Sequence, residues 1–474
     1  MANNTFYWHD YETFGTDPRR DWPSQFAGIR SDYDFNIIDE PLTLYCKPAD
    51  DCLPQPDACV ITGITPQLAA EKGVCEAEFI KTIHQQFMQP DTCVLGYNNL
   101  RFDDEVTRNS LYRNFYDPYE REWRNGNSRW DLIDVVRAAR ALRPDGINWV
   151  DNEEGRPSFR LEELTKANGI AHESAHDALS DVHATIAMAK LIKQAQPKLY
   201  DFLFTHRVKH KVLELLQLGK FKPVVHISGM YPATKGCLAI VLPICQHPTN
   251  TNGIIVYDLS QDPAPLLELG FEAIKERLFT ASADLPEGVE RIPLKTVHIN
   301  KCPVLAPINV LKEDDIQRLQ IDLTLCLENL EKIKNAIPLA GKISEVFTAT
   351  NFEAETNPDL MIYAGGFFSG SDKAAMTKIR NTPINKLATL KPHFQDKRLD
   401  EMFFRYKARN YPQTLSNEEK QRWQVFCQRK LIEPDAGGSL VIEDYRKRLD
   451  ELKAQEDVDA DCLNALEAYL STRI

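Results

Sequence analysis

Apolar residues crowd the stretch Thr5-Phe6-Tyr7-Trp8-His9-Asp10-Tyr11-Glu12-Thr13-Phe14-Gly15, and the two carboxylates within it stand one residue apart. The aromatic run predicts a strand. Alternate strand side chains share a face, so Asp10 and Glu12 project from the same side of one rigid element. Residues 26–30 and 35–39 flank a polar turn at 31–34 and predict a hairpin, to which 42–46 adds another strand of a small antiparallel sheet. Thr65, Pro66 and Gly73 bracket a short helix as its N-cap, first-turn proline and terminal glycine. A longer helix is predicted over 75–89, a buried strand over 92–97 and a helix over 102–115. Helical periodicity returns over 131–143, where Pro144-Asp145-Gly146 stops it, and again over 159–168 and 177–194. This mixture of strands and helices predicts an α/β domain over 1–196, closed by Gln196-Pro197.

Beyond that boundary the pattern changes. Short apolar runs at 224–227, 238–242, 254–257 and 297–299, separated by Pro, Asn, Gly and Thr, predict a compact β-barrel-like domain over 197–349 with helices near 313–335. From 350 to 474 the pattern is helical, most clearly at 418–430 and 442–470. Three domains suit a chain of 474 residues, which is too long for one core.

Charge sharpens this picture. Of the net −13, residues 1–196 supply −12, with 20 Lys+Arg against 32 Asp+Glu, so the acidity is concentrated in the first domain. Basic stretches at 197–230 (six Lys+Arg, two acids) and 391–430 (ten, five) leave room for a polyanion, and aromatic residues interleave the second. Eleven scattered cysteines with no Cys-x-x-Cys pair read as reduced thiols, not as a zinc site or disulfide framework. No run of about 18 apolar residues occurs, and Met1-Ala2-Asn3-Asn4 lacks the parts of a signal peptide, so a cytoplasmic chain with no membrane association is expected.

Two like charges on one face of an apolar strand repel and lose hydration, unless water covers that face or a cation lies between them. Oxygen-only ligands suit Mg²⁺ or Mn²⁺. Three further segments supply partners. The first is Gly96-Tyr97-Asn98-Asn99-Leu100-Arg101-Phe102-Asp103-Asp104, where Asp103 can face the pair from a helix start or simply complement the helix dipole. The second is His176-Asp177-Ala178-Leu179-Ser180-Asp181. Residues five apart on a helix differ by roughly 140° at about 3.6 residues per turn, so His176 belongs on the entry loop while Asp181 is helical. From that loop an imidazole can take a proton from an attacking water. A capping role for His176, and Asp177 or His183 as the working residue, stand as alternatives. The third is Ser158-Phe159-Arg160-Leu161-Glu162, where Arg160 opens a helix and can meet a phosphate or a surface acid. Four acids and a histidine in this order are the ingredients of two-metal phosphodiester hydrolysis.

These segments closely resemble the bacterial exonuclease I family of the DEDDh exonuclease superfamily. The resemblance extends through Leu203-Phe204-Thr205-His206-Arg207, His298-Ile299-Asn300-Lys301-Cys302-Pro303 and Tyr406-Lys407-Ala408-Arg409-Asn410, nearly the whole chain. It implies a ribonuclease H-like exonuclease domain with a mixed sheet, then an SH3-like β-barrel and an α-helical C-terminal domain. The implied activity is processive 3′-to-5′ degradation of single-stranded DNA to 5′-mononucleotides, by a monomer serving DNA repair and recombination. Asp10, Glu12 and Asp181 match the ligands of two Mg²⁺ ions, for which Mn²⁺ can substitute. Asp103 matches the remaining acid and His176 the general base. Glu12 and Arg160 match substrate contacts, and Thr62, Arg108, Tyr119, Trp123 and Arg137 fall where the family touches single-stranded DNA. A second implied partner is the acidic C-terminal tail of single-stranded DNA-binding protein. Arg143, Lys222, Lys312 and Lys334 resemble its pocket, although Phe202 lacks a hydroxyl and Pro307 an amide associated with that pocket. An RNA 3′-to-5′ exonuclease and a noncatalytic single-strand scaffold are the competing readings.

Overall fold

The computed structural model describes residues 4–172, 177–336, 339–348 and 355–473. The aromatic run forms β1 (Thr5–Thr13), in which every residue except Asp10 is buried. It lies beside β2 (Pro23–Ser31), antiparallel, with Asp10 opposite Ala27 and Glu12 opposite Gln25. Next to β2 runs β3 (Leu42–Tyr45), also antiparallel. On its other side β1 meets β4 (Thr92–Gly96) in parallel, and that ladder ends at Trp8 opposite Leu95. Asp10 and Glu12 therefore lie beyond the paired part of β4. A Cβ at Gly96 would stand 2.5 Å from the His9 carbonyl oxygen, so glycine is what lets the end of β4 approach β1 this closely. The sheet order is β3-β2-β1-β4-β5, with β5 at Ser128–Asp131.

The expected helices follow: α1 (Pro56–Thr62), α2 (Pro66–Lys72), α3 (Glu76–Phe87), α4 (Asp103–Arg113), α5 (Leu132–Leu142), α6 (Leu161–Ala167) and α7 (Ala178–Ala195). Thr65 caps α2, accepting from the Leu68 amide at 3.2 Å. Along α3, Phe79, Ile80, Ile83 and Phe87 recur at helical spacing and pack with Tyr7, Tyr11, Phe26 and Val94 of the sheet. Each such buried side chain contributes about 1.5–3 kcal/mol.

By contacts the chain divides into two compact units, one of Met1–Ser128, His172–His183 and Glu353–Ile474, the other of Arg129–Ala171 and Ala184–Phe352. In the first unit the C-terminal helices pack Tyr445, Leu449, Leu452, Leu463 and Leu466 around Phe14 and Trp22. A buried ionic web fastens the same segments. Asp51, fully buried, accepts from Arg409 at 2.8 and 3.1 Å and from Lys430 at 2.8 Å. Asp359 accepts from Arg409 at 2.6 Å and Arg405 at 2.9 Å. Burial alone would raise the pKa of Asp51, but the Arg409 and Lys430 charges outweigh it and hold the carboxyl far below its usual range.

The second unit holds an antiparallel sheet of order β10-β6-β7-β8-β9: β6 (Val224–Ile227), β7 (Leu238–Gln246), β8 (Gly253–Asp258), β9 (Leu294–His298) and β10 (Val304–Pro307). Val224, Val241, Val256, Val297 and Leu305 line one core, and Leu242, Ile255 and Tyr257 line another under the helices Phe271–Phe279 and Leu323–Asn335. The expected α/β class, the second β domain and the helical C-terminal part are thus present.

The differences are local. In place of the hairpin's second strand there is a single bridge, Ser31 with Ile37, because β2 already has β1 and β3 as partners. Pro197, read as a boundary, is also the first residue of α8 (Pro197–Thr205), and α9 (Lys209–Leu215) follows it. The run 442–470 is two helices, Ile442–Lys453 and Ala460–Ser471, the second capped by Asp459. All eleven cysteines are free thiols. Among the described residues no helix is long and apolar enough to cross a membrane.

Candidate metal centre and nucleic-acid surface

The first-unit sheet supplies the platform. Asp10 and Glu12 share one face of β1, as the strand period requires. Asp181 comes from the first turn of α7, whose start is tied down locally: the Ala178 amide donates to Gln25 Oε1 at 3.4 Å and the Ser180 amide to Asp177 Oδ2 at 3.2 Å. Because Gln25 is the cross-strand partner of Glu12, the same pair of strands that carries the first two acids also holds the helix bearing the third. One ligand oxygen from each of Asp10, Glu12 and Asp181 lies within 4.8 Å of the others. Asp103, the first residue of α4, takes the Tyr11 amide on its Oδ1 at 3.1 Å and so is held against β1 between the two acids in sequence. Its neighbour Asp104 instead forms an ion pair with Arg121 at 2.6 Å, with both side chains fully buried.

The electrostatics match the crowding. Burial, followed by the charges of Asp103, Glu12, Asp181 and Asp177, pushes the Asp10 carboxyl well above its ordinary range. Burial and the Asp181, Asp103 and Asp177 charges push Glu12 to about 8. Such a set is strained without a cation and complete with one. Its ligands are all carboxylate oxygens, which suits a hard divalent ion.

This has a measurable sign. A carboxylate whose folded-state pKa is raised stabilises the fold below its unfolded value of about 4.5 and loses that contribution as pH climbs through about 8. The cation-free protein therefore loses stability from this site as pH rises toward about 8, and a divalent ion restores it. Binding Mg²⁺ at pH 7 should accordingly release on the order of one proton, and fewer above pH 8. Calorimetry in buffers of different ionisation enthalpy checks this; a binding heat at pH 7 that does not depend on the buffer would contradict it.

His176 lies outside the described residues. A histidine to which the sequence reading gave no role, His172, is in direct contact with the cluster: its Nε2 lies 2.5 Å from Asp181 Oδ1. Asp177 also acts on Asp10 and Glu12 through its charge. The sequence signal for both was their place in the same polar segment as Asp181.

The expected nucleic-acid contacts occupy varied settings. In the first unit, Trp123 is 66% exposed, a free stacking face. Tyr119 is half-buried, with its ring centroid 6.4 Å from that of Tyr363, which is 55% exposed. Arg108 is only 4% exposed, and its guanidinium donates to Glu122 at 2.8 and 3.1 Å and to Glu105 at 2.7 Å. It lies 5.5 Å from the Tyr119 ring centroid, so its guanidinium is committed to acids and supports that ring. Thr62 closes α1, donating to the Ala58 carbonyl at 2.9 Å and accepting from the Ile64 amide at 3.1 Å. In the second unit Arg160 is the N-cap residue of α6 with its side chain 73% exposed, and Arg137 pairs with Asp134 at 2.7 Å.

The residues expected to take a partner's tail all lie in the second unit. Arg143 donates to the Val310 carbonyl at 3.0 Å and reaches Asp315 at 3.4 Å. Lys222 is exposed, and the Lys312 amide donates to Asp315 Oδ2 at 3.0 Å. Lys334 pairs with Glu331 at 2.6 Å, and Phe202 stacks on His206 with ring centroids 4.0 Å apart.

Comparison with known proteins places these features in context. Residues 7–189 match the family description "Exonuclease", 207–349 "Exonuclease I SH3-like domain" and 356–473 "Exonuclease I C-terminal domain". The chain is 54% identical to exodeoxyribonuclease I of Escherichia coli K12 over 89% of its own length and 88% of the relative's. Its structure is similar to that of an exonuclease I from Methylocaldum szegediense, with TM-score 0.96, 54% identity, and coverage of 99% of this chain and 100% of the other. It is similar also to a zinc-bound E. coli exonuclease I complex with single-stranded DNA (TM-score 0.94, 50% identity, 99% of each chain). A structure of SSB/exonuclease I with the inhibitor CFAM matches at TM-score 0.91 and 48% identity over 100% of both chains.

Proposed function

Because the chain belongs to the exonuclease I family, we infer that it is an exodeoxyribonuclease, hydrolysing single-stranded DNA from the 3′ end and releasing 5′-mononucleotides. The observation that carries this reading is the convergence of Asp10, Glu12 and Asp181 on one point, at the place where the family resemblance puts its metal ligands. The three carboxylates would hold divalent cations, of which Mg²⁺ is the one we propose, two at a time, with Mn²⁺ as a substitute. Bound there, such ions supply charge stabilisation for the phosphodiester and lower the pKa of water.

The chain's own residues do the rest. Asp103 fixes the β1 backbone between the two strand acids, which keeps their oxygens aimed together. We assign the general base to His176, which takes the proton of the attacking water. Glu12 and Arg160 are assigned to the scissile nucleotide. Trp123 and Tyr119 offer aromatic faces that stack any base, so the enzyme can move along a strand without reading its sequence. Arg108 acts through Tyr119 and Glu122, while Thr62 and Arg137 remain assigned to the strand's path. The division into 1–196, 197–349 and 350–474 follows the matched ranges closely and is the one we propose.

Arg143, Lys222, Lys312 and Lys334 are proposed to take the acidic tail of single-stranded DNA-binding protein, a reading supported by the SSB/exonuclease I structure. A monomer acting in the cytoplasm in DNA repair and recombination completes the proposal.

Digestion of end-labelled single-stranded DNA, with and without Mg²⁺, tests it. Stepwise shortening from the 3′ end should appear only with the cation, and a matched RNA oligonucleotide should survive. Equal digestion of RNA would favour the ribonuclease reading, and binding without products would favour the scaffold.

A further inference from the structure

Asp181 has a mechanical problem that Asp10 and Glu12 do not. The strand holds those two acids, whereas Asp181 projects from the first turn of a helix into space it shares with the two strand carboxyl groups. Three carboxyl groups crowded this closely favour rotamers that turn the partly exposed Asp181 side chain toward water. His172 opposes this turn. Its side chain is 5% exposed and that of Asp181 19%, and the imidazole Nε2 lies 2.5 Å from Asp181 Oδ1. A carboxylate that ligates a cation can only accept, so in that state the ring nitrogen facing Asp181 is the donor. One oxygen of Asp181 is thereby restrained while an oxygen of the same carboxylate stays within 4.8 Å of ligand oxygens on Asp10 and Glu12. Hydrogen-bonded partners of ligating carboxylates fix the ligands' orientation in this way.

We propose that His172 is a positioning residue for the metal centre, holding Asp181 turned toward Asp10 and Glu12 so that a divalent cation meets three preset carboxylates. This rests on the reading of those acids as cation ligands. It is separate from the base assigned to His176, since His172 acts on a ligand and not on water.

Calorimetric titration of Mg²⁺ into the full-length protein tests it, with His172→Ala, His172→Gln and Asp181→Asn compared against the parent. The expected result is a Kd for Mg²⁺ raised about 10- to 100-fold in His172→Ala and partly restored in His172→Gln, whose amide can still donate. In activity assays His172→Ala should raise the Mg²⁺ concentration needed for half-maximal rate more than it lowers kcat at saturating Mg²⁺. An unchanged or tighter Kd in His172→Ala overturns the proposal, the tighter value meaning that the imidazole competes with the cation. Equal weakening in both His172 variants, with equal loss of thermal stability, also overturns it, because that is what a packing role produces. If Asp181→Asn itself binds Mg²⁺ as the parent does, the underlying ligand assignment fails instead, and the two failures are told apart.

Discussion

Replacing Asp10 with alanine should lower the rate of nucleotide release by about a thousandfold or more, since a divalent centre supplies several kcal/mol of transition-state stabilisation and each 1.36 kcal/mol is tenfold. The loss should leave the melting temperature of the cation-free protein unchanged or higher. Asp10 sits among Asp103, Glu12, Asp181 and Asp177, and their charges together with burial make its ionised form costly in the absence of a cation. Removing it relieves that repulsion, so activity and stability should move in opposite directions. Such a pattern separates a functional acid from a structural one. Single-turnover digestion and thermal melting of the same preparation are the measurements, and retained turnover in the variant would end the metal assignment.

The second large effect concerns the fold. Arg409→Ala should destabilise the protein by about 3–5 kcal/mol, because it takes one of two cationic partners from each of two buried carboxylates at once. Among the described residues, Asp51 would keep Lys430 and Asp359 would keep Arg405 as its one cationic partner. Arg409 reaches both acids at once, at 2.8 and 2.6 Å, so its loss weakens both pairings together. Urea unfolding of parent and variant checks this, and a midpoint that does not move would show that the web contributes nothing net. Arg409→Lys should recover only part, since an ammonium cannot make the forked contact.

Much of the site was legible because it follows from short periods. Asp10 and Glu12 share a face by the strand repeat, and Asp181 falls on a helix whose start is set by the polar segment before it. Asp103 could be placed at a helix start from the turn residues preceding it. The rest depended on partners far away in the chain. Nothing local in Arg108 distinguishes a phosphate ligand from a guanidinium buried between Glu105 and Glu122. β5 is four residues, Ser-Arg-Trp-Asp, too short and too charged to stand out, yet it closes one edge of the sheet. α8 was hidden because a proline that can end a domain can equally begin a helix. His172 carries no comparable local signal, since its contact with Asp181 spans nine residues and no helix or strand period links the two.

The ionic web also bears on how the protein is made. Asp51 leaves the ribosome early, and its two cationic partners lie 358 and 379 residues further along. Throughout most of synthesis neither of these two partners exists, so the pocket around the carboxylate lacks its ionic closure. The segment around Asp51 must wait for the last hundred residues before this web can form. A message cut short upstream of Arg409 therefore yields a product that lacks this closure at both Asp51 and Asp359.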